Sequence, residues 1–337
     1  MSKITSIDDL KSALAMLPAP NQEAKEQAEA RNGQLTKPPG ALGRLEEISI
    51  WYASWRGEAA PRVSAPQVAV FAGNHGVTAQ GVSAFPAEVT AQMVMNFEHG
   101  GAAINQLCNA AGASLTVRAL DLDAPTDDFT QGPAMDEAAF IAAFNVGMET
   151  VDPSADLFVP GEMGIGNTTS GAAIGYALFG GSAGDWVGRG TGVDDAGLKR
   201  KADVIAQGLM ANPSAKDNGL EALRSLGGRE LAAMAGAIFA ARQNAIPVIL
   251  DGFICTAAAA CLEVAQKGAL DHCMISHKSE EMGHKAFCKA LGKEPILDLG
   301  MRLGEGAGGA LAINIVKSAL ACHSGMATFA DAGVSEG

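Results

Sequence analysis

The amino-acid sequence predicts an α/β fold: a doubly wound, Rossmann-like parallel sheet with helices on both faces, joined to a small helical domain. Short apolar runs alternate with longer helical segments from Gln67 onward. These runs are continuously apolar, as strands covered on both faces are. Both ends of the chain instead show apolar residues at helical spacing. We therefore assign residues 1–60 and 307–337 to the helical domain and residues 61–306 to the α/β domain.

The first part of the chain predicts two helical regions. Residues 7–31 have helical spacing, with a break at Pro18, and residues 41–56 follow as a second helix. Pro61 and Pro66 then separate this helical start from the first strand, since proline interrupts regular structure.

The remaining elements follow from the alternation of apolar runs and helical patterns. Candidate strands are 68–72, 115–120, 156–159, 185–187, 247–250, 273–276 and 295–297. Candidate helices are 86–110, 136–150, 168–179, 194–211, 228–243, 253–266, 279–291 and 307–322.

Composition excludes several classes of protein. Among the 337 residues, 37 acids outnumber 24 bases, giving a net charge of −13, which argues against binding to nucleic acid or to an anionic membrane. With 48% hydrophobic and 18% charged residues, the chain is not intrinsically disordered. No apolar run is long enough to span a membrane, and the first ten residues lack the apolar core of a signal peptide. The 6 cysteines contain no C-x-x-C pair, so we expect free thiols and a cytoplasmic location.

Glycine-rich polar segments follow most of the predicted strands. They are Gly73–Gly76, Gly161–Thr169, Gly188–Gly192, Asp251–Gly252, Ser276–Ser279 and Arg302–Gly306. Ligands of such sheets bind outside the carboxyl ends of the strands, and loops of this kind can direct backbone N–H groups at an anion. The sequence therefore predicts a ligand crevice at this edge of the sheet.

Two carboxylates within these segments are candidates for proton transfer. Glu305 lies between Gly304 and Gly306. It is a general base if burial raises its pKa, or only an acid favoured by the dipole of the next helix. Glu162 occupies a similar position, so one carboxylate could take a proton while the other stabilises developing positive charge.

Two cofactor motifs are present only in part. Gly304–Gly309 matches G-x-G-x-x-G, but Glu305 would place a negative charge beside a pyrophosphate, and too little chain follows for a βαβ unit. Asp251 follows an apolar strand as a single acid, which disfavours a metal-bound diphosphate donor but leaves ribose binding open.

Histidines, cysteines and bases elsewhere leave alternatives open. Cys273, His277, His284 and Cys288 are residue types that zinc accepts, but their spacing fits no standard finger, so we predict no metal. His75 is either a functional residue or a turn histidine held by the backbone. The basic cluster at 199–201 either reaches a phosphate or forms a solvated helix face.

Six segments occur together in this order: Lys37–Glu46, Gly73–Val77, Gly161–Thr169, Leu250–Phe253, Ser276–His277 and Met301–Gly306. The set resembles the nicotinate-nucleotide–dimethylbenzimidazole phosphoribosyltransferase family over essentially the whole chain. The resemblance implies transfer of ribose 5-phosphate from nicotinate mononucleotide to 5,6-dimethylbenzimidazole, which gives α-ribazole 5′-phosphate and nicotinate for the nucleotide loop of cobalamin. It also implies a homodimer acting on small molecules, without a cofactor.

The resemblance assigns roles to individual residues. It makes Glu305 the general base and Glu162 a second carboxylate of the active site. The implied substrate-binding residues are Gly164, Asn167, Lys201, Asp251, Ser279, Phe85, Met93 and Leu303. Phe85 and Met93 would line the pocket of the base, where the family commonly has polar residues, so the physiological base stays open.

Three other functions compete with this interpretation. A nucleoside-type hydrolase would use the same base to activate water, and a nucleotide sensor would bind the donor without turnover. An NAD-linked oxidoreductase is the third, on the partial glycine motif.

Overall fold

The structure is a computed structural model that describes residues 3–188 and 194–335. Over these residues one parallel sheet of five strands has the order β2-β1-β3-β4-β5. The strands are β1 (Pro66–Ala72), β2 (Ser114–Ala119), β3 (Leu157–Met163), β4 (Val248–Leu250) and β5 (Cys273–Ile275). The chain leaves β1 on one side to form β2 and returns on the other side as β3, which confirms the doubly wound topology. The strand order therefore reverses between β1 and β3, and that switch point is where such sheets bind ligands.

Helices connect and cover these strands. They are α1 (Ile7–Leu14), α2 (Gln22–Gln34), α3 (Arg44–Arg56), α4 (Glu88–Glu98), α5 (Ala103–Ala111), α6 (Glu137–Thr150), α7 (Asn167–Phe179), α8 (Asp195–Ala211), α9 (Gly219–Leu226), α10 (Arg229–Gln243), α11 (Phe253–Ala265), α12 (Met282–Leu291), α13 (Ala307–Gly325) and α14 (Phe329–Ala332). Within the described ranges, none of these helices is long and apolar enough to cross a membrane.

Side chains of β1 alternate between two hydrophobic cores, one on each face of the sheet. Val68 and Val70 pack in a cluster with residues of α3, α5 and α13. Ala69 and Phe71 pack in the other cluster, with residues of α6, α7, α10 and α11. Because successive residues of a strand point to opposite faces, the fully apolar run in β1 indicates burial on both sides, and the predicted helices on both faces are confirmed.

Helix α2 and the end of α13 meet on the α3 face of the sheet, whereas α1 packs in the core of the opposite face. The Arg31 guanidinium donates to the carbonyls of His323, Ser324 and Met326. Leu35 and Thr328 form an isolated antiparallel bridge. Helices α3 and α13 share a hydrophobic core with the sheet. The proposed domain boundaries at 60/61 and 306/307 stay a prediction.

The predicted strand 185–187 is wrong. Residues Ala183–Asp185 form a turn of 3-10 helix. Trp186 then buries its ring against Phe179 and Phe287, with ring centroids 6.1 and 4.9 Å away. This aromatic contact places the segment in the helical layer rather than in the sheet. Of the predicted loop after it, Gly188 is described, whereas 189–193 lie outside the described residues.

Two other predicted elements differ from the structure, and one helix was missed. The segment 295–297 forms only a bridge between Leu297 and His277, since Pro295 has no N–H to donate. The predicted helix 86–110 is two helices, α4 and α5, and α9 was not predicted.

Candidate active site

A cavity of about 490 Å³ opens at the carboxyl edge of the sheet. Its volume is in the range typical of small-molecule sites. Four elements bring ionisable groups to it: Glu162 from β3, Asp251 after β4, His277 after β5 and Glu305 just before α13. The other lining residues are Phe85, Met163, Gly164, Ile165, Asn167, Thr168, Gly252, Phe253, Ile254, Cys255, Ser279, Glu281, Arg302, Leu303 and Gly304. Four of the six predicted glycine-rich segments therefore converge on the cavity, whereas no residue of Gly73–Gly76 lines it.

Glu305 is held in an unusual backbone conformation. Its φ is +63°, in the left-handed region, and those of Gly304 and Gly306 are +83° and +82°. A left-handed conformation costs a residue other than glycine about 1–3 kcal/mol and persists only where the surroundings impose it. The side chain is buried, and within the described residues no donor reaches its Oε2 atom. Burial, with the charge of Asp251, raises the pKa of Glu305 to about 7.

The loop that carries Glu305 lies directly on β3. A Cβ atom added to Gly161 would be only 2.6 Å from the Glu305 carbonyl oxygen, and one added to Gly304 would collide with Glu162 Oε1. Glycine at these two positions therefore allows both carboxylates to share one wall of the cavity.

Asp251 fixes the same loop from β4. Its Oδ2 accepts a hydrogen bond from Gly306 N at 3.2 Å, and its Oδ1 accepts one from Gly309 N at 2.9 Å. Burial raises the pKa of Asp251, an effect opposed by His277, whose Nδ1 lies 3.8 Å from Oδ1, and by the backbone N–H groups. This residue thus caps the N-terminus of α13, and its predicted contact with ribose stays a prediction.

Glu162 is partly buried at the end of β3, and its Oε2 accepts a hydrogen bond from the Asn167 side-chain amide. Burial raises the pKa of Glu162 to about 8, opposed by that hydrogen bond and reinforced by Glu230, Asp251 and Glu305. The cavity therefore concentrates carboxyl groups, and any bound cation would relieve their mutual repulsion.

Another part of the cavity lining suits an anion. The N-terminus of α7 faces it through Asn167 and Thr168. Lys201 Nζ donates to Thr168 Oγ1 at 3.1 Å and to the Gly188 carbonyl at 3.4 Å. Burial lowers the pKa of Lys201, opposed by Glu281. Lys201 is thus behind Thr168 rather than in the lining itself, whereas the predicted Gly164 and Ser279 are lining residues.

Apolar side chains border the opening. Phe85 and Leu303 line the cavity and remain 49% and 55% exposed, a large fraction for such side chains. Met93 lies outside this lining and packs against the core on the α13 face, so its contact with a base stays a prediction.

The histidines that the sequence left open are buried and hydrogen-bonded. His75 lies 2.5 Å from Glu230 through Nε2, and His284 Nδ1 accepts from Ser279 N at 2.9 Å. In residues 3–188 and 194–335, no group of three or more His, Cys, Asp or Glu side chains is arranged to hold a metal ion.

Sequence reasoning missed Glu230, Glu281 and Arg302. Glu281 and Arg302 line the cavity, and Glu230 lies beneath it. Arg302 lies in the segment Met301–Gly306, and its position beside Leu303 could have indicated it as a site residue. Glu230 offers no such signal, because an acid in the first turn of a helix is the usual pattern of a solvated helix start.

An acid-lined cavity at the carboxyl ends of β3, β4 and β5 in a doubly wound sheet defines a small-molecule site of an α/β enzyme. The chain belongs to the phosphoribosyltransferase family described by the DBI_PRT model, which matches residues 17–334. This confirms the family resemblance of the six segments.

Two relatives match this chain over essentially their full length and carry the same name. Nicotinate-nucleotide–dimethylbenzimidazole phosphoribosyltransferase of Ruegeria pomeroyi is 66% identical over 334 residues, with 99% of each chain covered. The protein of that name from Jannaschia sp. is 63% identical, with 100% of each chain covered. The crystal structure of the Thermus thermophilus enzyme of this name superimposes with a TM-score of 0.87 at 39% identity, covering 94% of this chain and 100% of that one.

Proposed function

We propose that this protein transfers ribose 5-phosphate from nicotinate mononucleotide to 5,6-dimethylbenzimidazole, giving α-ribazole 5′-phosphate and nicotinate for the nucleotide loop of cobalamin. The observation that carries the proposal is Glu305, a buried carboxylate on the wall of the cavity. One of its oxygens accepts no hydrogen bond from any described residue. Its pKa near 7 suits a general base at neutral pH. The names of its full-length relatives support the same reaction.

Each step of the reaction has a group to perform it. One ring nitrogen of the benzimidazole attacks C1′ of the ribose, and the C1′–N bond to nicotinate breaks with its electron pair going to the pyridine nitrogen. Glu305 takes the proton from the other ring nitrogen, so the product leaves uncharged at the base. Attack on the face opposite nicotinate gives the α anomer.

The charge distribution of the cavity fits this donor. The pyridinium of nicotinate mononucleotide is a cation, and the cluster of Glu162, Asp251 and Glu305 would bind it. Its approach favours ionisation of Glu162, which then stabilises positive charge developing on the ribose. The phosphate fits the N-terminus of α7, with Lys201, Thr168 and Ser279 around it.

The benzimidazole substrate would enter from the exposed apolar border of the cavity. We assign Phe85 and Leu303 to its flat faces, since both offer apolar surface at the opening. No metal is required in this scheme, because the leaving group is already cationic. A homodimer and a cytoplasmic location stay predictions, and sedimentation of the purified protein tests the first.

The test is a product analysis. The purified protein is mixed with nicotinate mononucleotide and dimethylbenzimidazole in the presence of a chelator, and the products are separated by chromatography. We expect nicotinate and α-ribazole phosphate in equal amounts. Nicotinate with free ribose 5-phosphate would identify a hydrolase, and nucleotide binding without turnover on a panel of bases would identify a sensor.

A further inference from the structure

Three buried side chains form a hydrogen-bonded chain beneath the cavity. His75 follows β1, Ser170 lies on α7, and Glu230 lies in the first turn of α10; none of them lines the cavity. His75 Nε2 is 2.5 Å from Glu230 Oε1, and His75 Nδ1 is 3.0 Å from Ser170 Oγ. All three are almost fully inaccessible to solvent.

Besides its contact with His75, the carboxylate of Glu230 packs against the backbone of two glycines. A Cβ atom added to Gly73 would lie 2.6 Å from Glu230 Oε2, and one added to Gly164 would lie 2.8 Å from Oε1. These glycines follow β1 and β3, the two strands of the switch point. Glu230 therefore supports the floor of the cavity from below.

The turn above this pair carries the contact to Glu162. Asn167 N donates to the Gly164 carbonyl at 3.1 Å and closes the turn. At Gly166, a Cβ atom would lie 3.7 Å from His75 Cβ, so His75 contacts the far end of the same turn. From this turn the Asn167 amide donates to Glu162.

We propose that His75, Glu230 and Ser170 are positioning residues, which hold the Gly164–Asn167 turn so that the Asn167 amide is directed at Glu162. A buried carboxylate is costly to desolvate, and an apolar pair of the same volume would often stabilise a fold as well or better. The placement of this pair under a cavity wall is therefore better explained by a demand for geometry than by stability. The proposal rests on the proposed function, since its readout is turnover.

A double-mutant cycle tests this role. The variants are E230Q, which keeps the shape of the side chain, N167A, and the double variant. A displacement of about 1 Å at a reacting centre can cost about 10²-fold in rate, so we expect E230Q to lower kcat by roughly 10–100-fold. If Glu230 acts through Asn167, the double variant should be no more than about 3-fold slower than N167A alone.

The control is E46Q, the same substitution in a second carboxylate that accepts hydrogen bonds from Lys37 and Asn32 away from the cavity. It should lower the melting temperature and leave kcat within about 2-fold of wild type. Should E230Q fail to fold, S170A replaces it in the cycle, with a smaller effect on kcat and the same lack of additivity.

Two results would overturn the positioning role: a kcat of E230Q within about 2-fold of wild type, or single effects that multiply in the double variant. A wild-type protein that forms no α-ribazole phosphate would instead contradict the proposed function, so the two failures are distinguishable.

Discussion

Glu305 meets two conditions for a general base at neutral pH. Its carboxylate has an oxygen free of described donors, and its pKa of about 7 leaves a large fraction ionised while keeping a useful affinity for a proton. Asp251 supports both properties of Glu305. It anchors the loop that holds the carboxylate in place, and its charge raises the pKa of Glu305.

Replacement of the base should separate activity from folding. We expect E305Q to fold normally and to lose roughly 10²–10⁴-fold in turnover, the usual scale for removal of a general base. In wild type, kcat/KM should fall as pH decreases below about 7, because Glu305 becomes protonated. Steady-state kinetics against pH measures both, and near-native turnover of E305Q would contradict the assigned role.

The same carboxyl group should make stability depend on pH. Its pKa rises from an ordinary 4.5 to about 7 on folding. Between these values the folded protein therefore holds more protons than the unfolded chain, and the free energy of unfolding falls as pH rises through this window. In E305Q this group does not titrate, so its stability does not fall for this reason. The melting temperature of E305Q minus that of wild type should therefore increase from about pH 5 to about pH 8.

Glu46 supplies the control of opposite sign. Although burial acts to raise its pKa, hydrogen bonds from Asn32 and Lys37 lower it to about 2. Its contribution to stability is present above the unfolded pKa and is lost as pH falls toward 2. E46Q should therefore be less stable than wild type at neutral pH. Calorimetry measures the change in stability of E305Q and of E46Q relative to wild type, and changes of the same sign would contradict this account.

At the scale of the elements, the contact between β3 and the α13 loop sets the separation of the two carboxylates. Because a Cβ atom at position 161 would press on the Glu305 carbonyl, G161A should displace the loop, lower turnover by about 10²-fold and reduce the melting temperature. Kinetics and thermal unfolding of the same preparation measure the two effects.

A matched glycine, Gly33, lies at an exposed position of α2. A Cβ atom on Gly33 meets nothing within 4 Å, so G33A should stabilise the protein by about 0.5–1 kcal/mol and leave turnover unchanged. If G161A and G33A had the same turnover and the same melting temperature, the loop would tolerate the added methyl group.

The elements also show what sequence could and could not predict. Continuous apolar runs such as 68–72 identified the buried strands, and glycine-rich exits identified the cavity, since both are local properties. The segment 185–187 has two apolar residues, Trp186 and Val187, but the packing of Trp186 against Phe287, which is distant in the chain, decides its place. Glu230 escaped prediction for the same reason: its meaning depends on His75, which is 155 positions away.

At the scale of the whole molecule, the distribution of cysteines makes global opening measurable. Cys108, Cys255, Cys261 and Cys273 are buried, and burial raises the pKa of Cys108 and Cys273 to about 12. A thiolate is the reactive form, so these four should be almost inert in the folded protein.

We expect a thiol reagent to modify the partly exposed Cys322 first, followed by Cys288, whose pKa burial raises to about 11. The buried thiols should react only at the rate of unfolding. Mass spectrometry over time measures this order, and early modification of Cys255 or Cys261 would show that the core opens locally.

The packing of α13 on α3 has a consequence for biosynthesis. A ribosome releases α3 long before α13, the helix that covers it, and at about 5–20 residues per second the interval is on the order of tens of seconds. During that interval the sheet strands can assemble, but the apolar surface of α3 lacks its final neighbour. Glu305 emerges just ahead of α13, so the reactive group is put in place by the same late docking event that closes the core. A nascent chain therefore lacks its general base in position until α13 docks.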